Sequence, residues 1–539
     1  SRCFIVRFLE RVRMAFVPGS YYNIFAGNQV VNFGVTSDPN NVPAPVVGDF
    51  NLEVIINASG TGDFATASGY QGLAIISTNG SVFTAAHGNY GVEDTGGNDS
   101  IFAGDGNVSI LGASGDTLTG GSGGNQFFDA HLGHQLVIGG TGGNETIWGG
   151  NDTIIGGAGN VTIGGATGDA ITGCTGSYFI DASSGFESVF GGKAGSNGTI
   201  WGGLGDQITG GAGNVTIGGA PGDDITGGSG DCFIDASLGN QAVRGGVSPA
   251  LKPSDTGIDF RASRGTIWGG AGDTIQGGAG DVTIGGGAGD TIFGGFGNSF
   301  IDASLGNQSI VGGALGTGLI WGGAGDTIVG GAGNETIGGA AGDTITGGSG
   351  NYFIDASLGT QSVVGGTGSG SIWGGAGDTI VGGAGNVTIG GVAGGTIIGG
   401  SGNYFIDASL GFQSIAGGAG NGLIWGGAGD TIQGASGSGS AVIDFGAERI
   451  AGQQQTLWDN GNSTIASARS SGNDTVVNFT QLIGDRISLS SADPNANTVV
   501  ASATQDGSGN AVLHLNDGSS ITLIGIAAAS LNTGFFTTH

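Results

Sequence analysis

The chain has 539 residues, 127 of them glycine, and carries a formal net charge of −30 from 42 acidic and 12 basic side chains. There are only 8 prolines and the glycines do not recur every third residue, which excludes collagen; 38% apolar residues at regular spacing exclude simple disorder. So acidic a chain is a poor partner for nucleic acid or an anionic membrane surface, both of which are held by Lys and Arg; it points instead to metal cations and to a repeat architecture.

The first thirteen residues, "SRCFIVRFLERVR", lack the apolar core and small-residue cleavage site of a secretory signal. They are read as a disordered leader or an artefact of start-site choice. Residues 14–95 are expected to form an all-β N-terminal cap, with strands in "NLEVIINAS" (Asn51–Ser59) and "GLAIIST" (Gly72–Thr78). Within it "TAAHG" (Thr84–Gly88) is similar to the histidine segment of trypsin-like proteases, but no nucleophile segment accompanies it, and the reading is of a protein that is not an enzyme.

Residues 96–435 are a glycine-rich repeat. Tryptophan in "IWGG" and its equivalents recurs at Trp148, Trp201, Trp268, Trp321, Trp373 and Trp425, at intervals of 53, 67, 53, 52 and 52; an insertion from Ser248 to Phe260 accounts for the long one. "FIDAS" keeps the same period, with aspartates at Asp181, Asp235, Asp302, Asp355 and Asp407, and "FFDAH" places Asp129. Inside each unit Ile320, Ile328, Ile337, Ile345, Ile354, Val363 and Ile372 step by 8 or 9 residues. Such a step fits a three-residue strand and a glycine turn but no helix. Two steps make a coil of 17–18 residues, and three coils make the unit. The spacing therefore predicts an all-β, right-handed parallel β-solenoid, with one β-branched residue per strand pointing inward. Face A carries Ile320, Ile337 and Ile354; face B carries Ile328, Ile345 and Val363.

The aspartates follow the coil. Asp99/Asp116, Asp152/Asp169, Asp206/Asp223, Asp273/Asp290 and Asp326/Asp343 each lie seventeen residues apart, on turns entering face B, while Asp378 faces Gly395. Carboxylates stacked at strand spacing repel unless a positive charge lies between them, and calcium, which takes six to eight oxygens in flexible geometry, suits the site better than magnesium. A metal-free reading stays open, since Asp and Asn also serve turns by bonding nearby backbone donors. The third turn of each unit offers Gln135, Glu187, Gln241, Gln308, Gln361 or Gln413; the opposite row offers Val161, Val215, Val282, Glu335, Val387 or Tyr352.

"GGAAGDTIT" (Gly338–Thr346) resembles the calcium-binding nonapeptide of RTX β-roll proteins, keeping its leading glycines, its aspartate and its apolar residue, with Ala341 where the motif has glycine. "SGNDTVV" (Ser471–Val477) resembles the motif's second half, and residues 436–539 resemble the C-terminal cap and type I secretion module of that family. The resemblance implies an RTX-like β-roll, a secreted, extracellular location, and calcium as cofactor, here on one row of turns with about one ion per unit. Three cysteines form no framework, and no apolar run is long enough to span a bilayer. The tryptophans and the Phe405-type residues should point outward from face A, a surface suited to lateral self-association in a structural or adhesive role. Outward Thr327, Thr344 and Ser362 on face B leave ice binding as an alternative, and residues 14–95 leave an enzyme exported on a β-roll as another.

Overall fold

The computed structural model describes residues 70–246 and 264–433 almost throughout (residues 86, 194, 392, 428 and 429 excepted), strand segments before residue 70, and the larger part of 440–538. The leader 1–13 and the insertion 248–260 lie outside the described residues. The chain divides into two compact units, 1–268 and 269–539. Each is a stack of parallel β-coils, as the spacing predicts.

In the second unit, face A strands Asn334–Gly338, Tyr352–Ala356 and Gly370–Gly374 pair in parallel with Ile337, Ile354 and Ile372 in register. On face B, Thr327–Val329, Thr344–Thr346 and Ser362–Val364 align Ile328, Ile345 and Val363. All six are fully buried. The first unit repeats this with Ile147, Ile163 and Ile180 on face A and Val137, Ile154 and Ile171 on face B. Each face B strand thus contributes one inward side chain, while face A strands contribute a second, such as Val161 beside Ile163 or Tyr352 beside Ile354, a core only the stack can close.

The ladder starts earlier than the glycine rhythm. Gln29–Thr36, Asn51–Ile56, Tyr70–Ile76 and Tyr90–Asp94 already run parallel on face A, after an antiparallel pairing of Tyr21–Ala26 with Gln29–Thr36. At the other end, Phe536–Thr538 pairs with Arg486–Leu489 on face A, and Ser520–Leu523 pairs with Asn473–Val477 on face B. Ser520–Leu523 also forms an antiparallel hairpin with Ala511–His514. A short helix, Ala496–Ser502, is capped by the Asn495 side chain and buries Val499. Together these segments cover strand edges that would otherwise invite pairing with another chain.

Stacking explains why the repeat is three coils long. Coils lie about 4.8 Å apart, so a large side chain needs a small one in the same position of the neighbouring coil. At the inward start of the face A strands, Tyr178 lies against Gly198, Tyr352 against Gly370 and Tyr404 against Gly422; a Cβ on any of these glycines would collide with the ring. On the outer side the same rule places Trp148 over Gly164, Trp201 over Gly218, Trp321 over Gly338 and Trp373 over Gly390.

Gly370→Ala should therefore displace Tyr352 and cost about 1–3 kcal/mol of stability. Gly507 is the control site: an added methyl there would meet nothing within 4 Å, and its φ is not left-handed. Thermal unfolding followed by circular dichroism should show Gly370→Ala clearly below Gly507→Ala; equal midpoints would refute the size-matching account.

Candidate functional site

The paired aspartates occupy the corner leading from face A to face B. The members of all five pairs lie on adjacent coils, one strand apart. Their side chains turn inward: Asp326 and Asp343 are each 1% exposed. Gly325 and Gly342, at φ +80° and +84°, make the tight left-handed bend that delivers them there.

Backbone donors hold these carboxylates. Asp343 Oδ1 accepts the N–H of Asp326 in the preceding coil at 2.9 Å, and its Oδ2 accepts the N–H of Ala340 at 2.7 Å. Asp326 does the same with Gln308 N–H and Gly323 N–H, both at 2.7 Å. The pattern recurs at Asp116, Asp152, Asp169, Asp206, Asp223 and Asp290. Asp273 Oδ2 accepts from Gly270 N–H. Asp99, at the start of the row, takes Ser81 N–H and Gly97 N–H. Asp378 accepts from Gln361 and Gly375. The corner carbonyls are engaged as well: Asp326 O receives Thr344 N–H and Asp343 O receives Ser362 N–H, each at 2.9 Å. The column is thus a hydrogen-bond ladder along the stack, in which backbone N–H donors hold the carboxylates of adjacent coils.

Asp430 belongs to this column, accepting from Gln413 and Gly427. Its "GAGDTIQ" context carries the same signal as the five pairs, yet it has no partner seventeen residues on. Burial pushes the carboxyls of Asp223, Asp290, Asp326 and Asp430 up to about 6, despite the opposing pull of their backbone donors.

The third position of each unit is a buried Gln whose side chain reaches beneath a glycine of the preceding coil, as Gln361 does at Gly339. Glu187 stands in that place once, reaching beneath Gly165. Neither of its carboxylate oxygens has a hydrogen-bond partner. Burial, reinforced by the charges of Asp206 and Asp169, drives it up to about 9.

The opposite corner carries a second ladder that the spacing argument did not anticipate. Here asparagines stack at the surface: Asn107 N–H donates to Asn89 Oδ1, Asn125 N–H to Asn107 Oδ1, Asn351 N–H to Asn334 Oδ1 and Asn403 N–H to Asn386 Oδ1. The Gly-Asn that recurs at the start of many face A strands was its sequence signal. The "FIDAS" aspartates point outward and start turns, Asp355 Oδ1 accepting Ser357 N–H at 3.1 Å and Asp302 Oδ1 accepting Ser304 N–H at 3.1 Å. His87 of "TAAHG" pairs with Asp105 on the exposed surface at 2.8 Å.

Comparison with protein-family models, with curated proteins and with solved structures finds no match. Among the described residues no helix is long and apolar enough to cross a membrane.

Glu187 gives the column a pH test. Its folded pKa of about 9 lies above the ordinary 4.5, so the folded state holds a proton that the unfolded chain releases, and stability falls as pH rises between the two values. Glu187→Gln removes that penalty while keeping the shape. The variant should match wild type at about pH 4 and exceed it at about pH 7.5 by up to about 4 kcal/mol, reduced by solvent screening, in urea unfolding. A difference that does not change with pH, or a loss at the higher pH, would contradict the assignment.

Proposed function

We propose that the chain is a secreted structural or adhesive repeat protein of a bacterial surface or extracellular matrix, and that face A is the surface through which copies pack side by side. The observation that carries this reading is the tryptophan row. Trp321, Trp373 and Trp425 are 51%, 53% and 43% exposed although each could have been a threonine, the common outward residue of these strands. Trp148, Trp201 and Trp268 repeat the row in the first unit. Phe353 and its equivalents add exposed rings beside it, and Phe405 meets Trp425 edge to face with centroids 4.9 Å apart. Leu305, Leu358 and Leu410 expose a further apolar row at the next corner.

Two arguments favour a second copy as the partner. An aromatic every three coils meets its like only on a surface of the same period, which this chain itself supplies. Much of the acidic charge is also withdrawn into the column, which leaves face A with an outward aspartate beside each tryptophan, such as Asp355 next to Trp373. Export to the cell exterior rests on the resemblance of residues 436–539 to a type I secretion module. This reading does not depend on a calcium ion between the members of each aspartate pair.

A triple variant, Trp321→Ser with Trp373→Ser and Trp425→Ser, should keep the strand signal in circular dichroism and shift the sedimentation profile from assemblies toward monomer. Identical profiles for the variant and the wild type would rule out face A as the self-association surface.

A further inference from the structure

Along face A, from Gly112 to Ala182, the last inward position of each strand is held by glycine or alanine, whereas the coil before Asp94 carries the buried Ile76 there. After Asp94 the row runs Gly112, Ala130, Gly149, Gly165 and Ala182. The reason is the carboxylate column next to it: a Cβ at Gly149 would strike the carboxylate of Asp169, and one at Gly112 would strike Gln135. Asp94 stands where the row changes. It places a third carboxylate in that slot, against Asp99 of its own coil and Asp116 of the next.

The three side chains are 2%, 1% and 1% exposed, and one oxygen from each lies within 4.8 Å of those of the other two. The donors to the cluster are all backbone: Gly96 N–H to Asp94 Oδ1, Ser81 N–H and Gly97 N–H to Asp99, Asp99 N–H and Ala113 N–H to Asp116. Asp94 Oδ2 is buried and no N–H or O–H donor reaches it; its polar neighbours are the carboxylates of Asp99 and Asp116, and burial together with them pushes its carboxyl up. Every other aspartate of the column takes a backbone N–H left over at the corner, and Glu187, which takes none, keeps the shape of the Gln it replaces. Asp94 Oδ2 has no such donor, and its position costs desolvation with nothing in return.

We propose that Asp94, Asp99 and Asp116 form a binding site for one calcium ion, with Asp94 Oδ2 as the oxygen committed to the metal. An ion central to oxygens up to 4.8 Å apart sits at most about 2.8 Å from each. Relaxation by a few tenths of an ångström brings that to the calcium range of about 2.3–2.6 Å, whereas magnesium, at about 2.0–2.1 Å in strict octahedral order, would need the corners to collapse inward. The ion ties the end of strand Tyr90–Asp94 on face A to the first two corners of the column, where the regular coils begin. This site is independent of the reading of face A and differs from the paired sites expected from spacing, which lack a third carboxylate.

The test is calorimetric titration of calcium chloride into the chelator-treated full chain, with thermal unfolding in parallel. Wild type should take up calcium and melt higher in its presence. Asp94→Ala puts into the slot the residue that Ala130 and Ala182 already place there, so it should fold, bind calcium at least tenfold more weakly, and lose the calcium-dependent rise. Asp94→Asn, which keeps the shape and removes the charge, should behave alike. No calcium uptake by wild type would overturn the proposal, as would uptake unchanged in both variants.

Discussion

The fixed rise between coils governs this protein. Stacked strands are about 4.8 Å apart whatever their sequence, so each residue sits directly above its equivalent one coil earlier. A tyrosine or tryptophan is thicker than that interval allows in two successive coils. The chain answers by rotating sizes through three coils: Val387 and Tyr404 then Gly422 on the inside, and Asp355 and Trp373 then Gly390 on the outside. The 52-residue period is the consequence, and so is the unusual glycine content, since one position in three along several rows must have no side chain.

The same interval governs the polar groups. A corner between two strands leaves backbone N–H groups that no ladder partner reaches, and each must be paired if it is buried. At the inner corner Asp takes two such donors at once, something the single carbonyl oxygen of Asn cannot match with equal strength. At the outer corner, where water competes, Asn suffices, and Asn334 Oδ1 takes one N–H from the coil above. The two corners therefore solve one problem with different residues according to burial.

The hydrophobic half of this design was legible from sequence. The 8/9 stepping of Ile and Val gave the coil, its faces and the alignment of Asp326 with Asp343, because a period-two strand leaves no freedom in which side chain faces in. What the aspartates do was harder to read. Asp326 lies two residues before the inward Ile328, so alternation already places it on the inner side, where its nearest company is backbone N–H. The coil spacing put it on a turn entering face B and paired it with Asp343 around a calcium ion, and did not foresee the two backbone donors that each carboxylate takes. Asp94 was not legible in this way, since "EDTGG" lacks the Thr-Ile that marks the other sites. Its place shows only once the register reveals that its row changes there from Ile76 to the glycines and alanines that follow. The early coils before residue 95 were missed because their strands are longer and their turns lack the glycine rhythm.

Charge, finally, limits how the column can be composed. In the regular units, two carboxylates are followed by a neutral Gln: Asp206, Asp223, Gln241, then Asp326, Asp343, Gln361. Backbone donors stabilise each anion locally, but like charges one coil apart in a dry interior still oppose one another, and a third would add repulsion from both neighbours. Two places depart from the rule. Glu187 keeps the length of Gln and escapes the conflict by holding its proton, as its rise to about 9 indicates. Asp94 joins its pair from the side, on face A, and is too short to mimic Gln in the column. Its Oδ2 has neither a donor nor a place in the ladder. A protonated acid explains the first departure because the shape of Gln is preserved there; at Asp94 burial and the carboxylates of Asp99 and Asp116 also push the carboxyl up, so a shared proton and a bound cation are competing ways to relieve one repulsion, and only the cation makes the cluster depend on calcium.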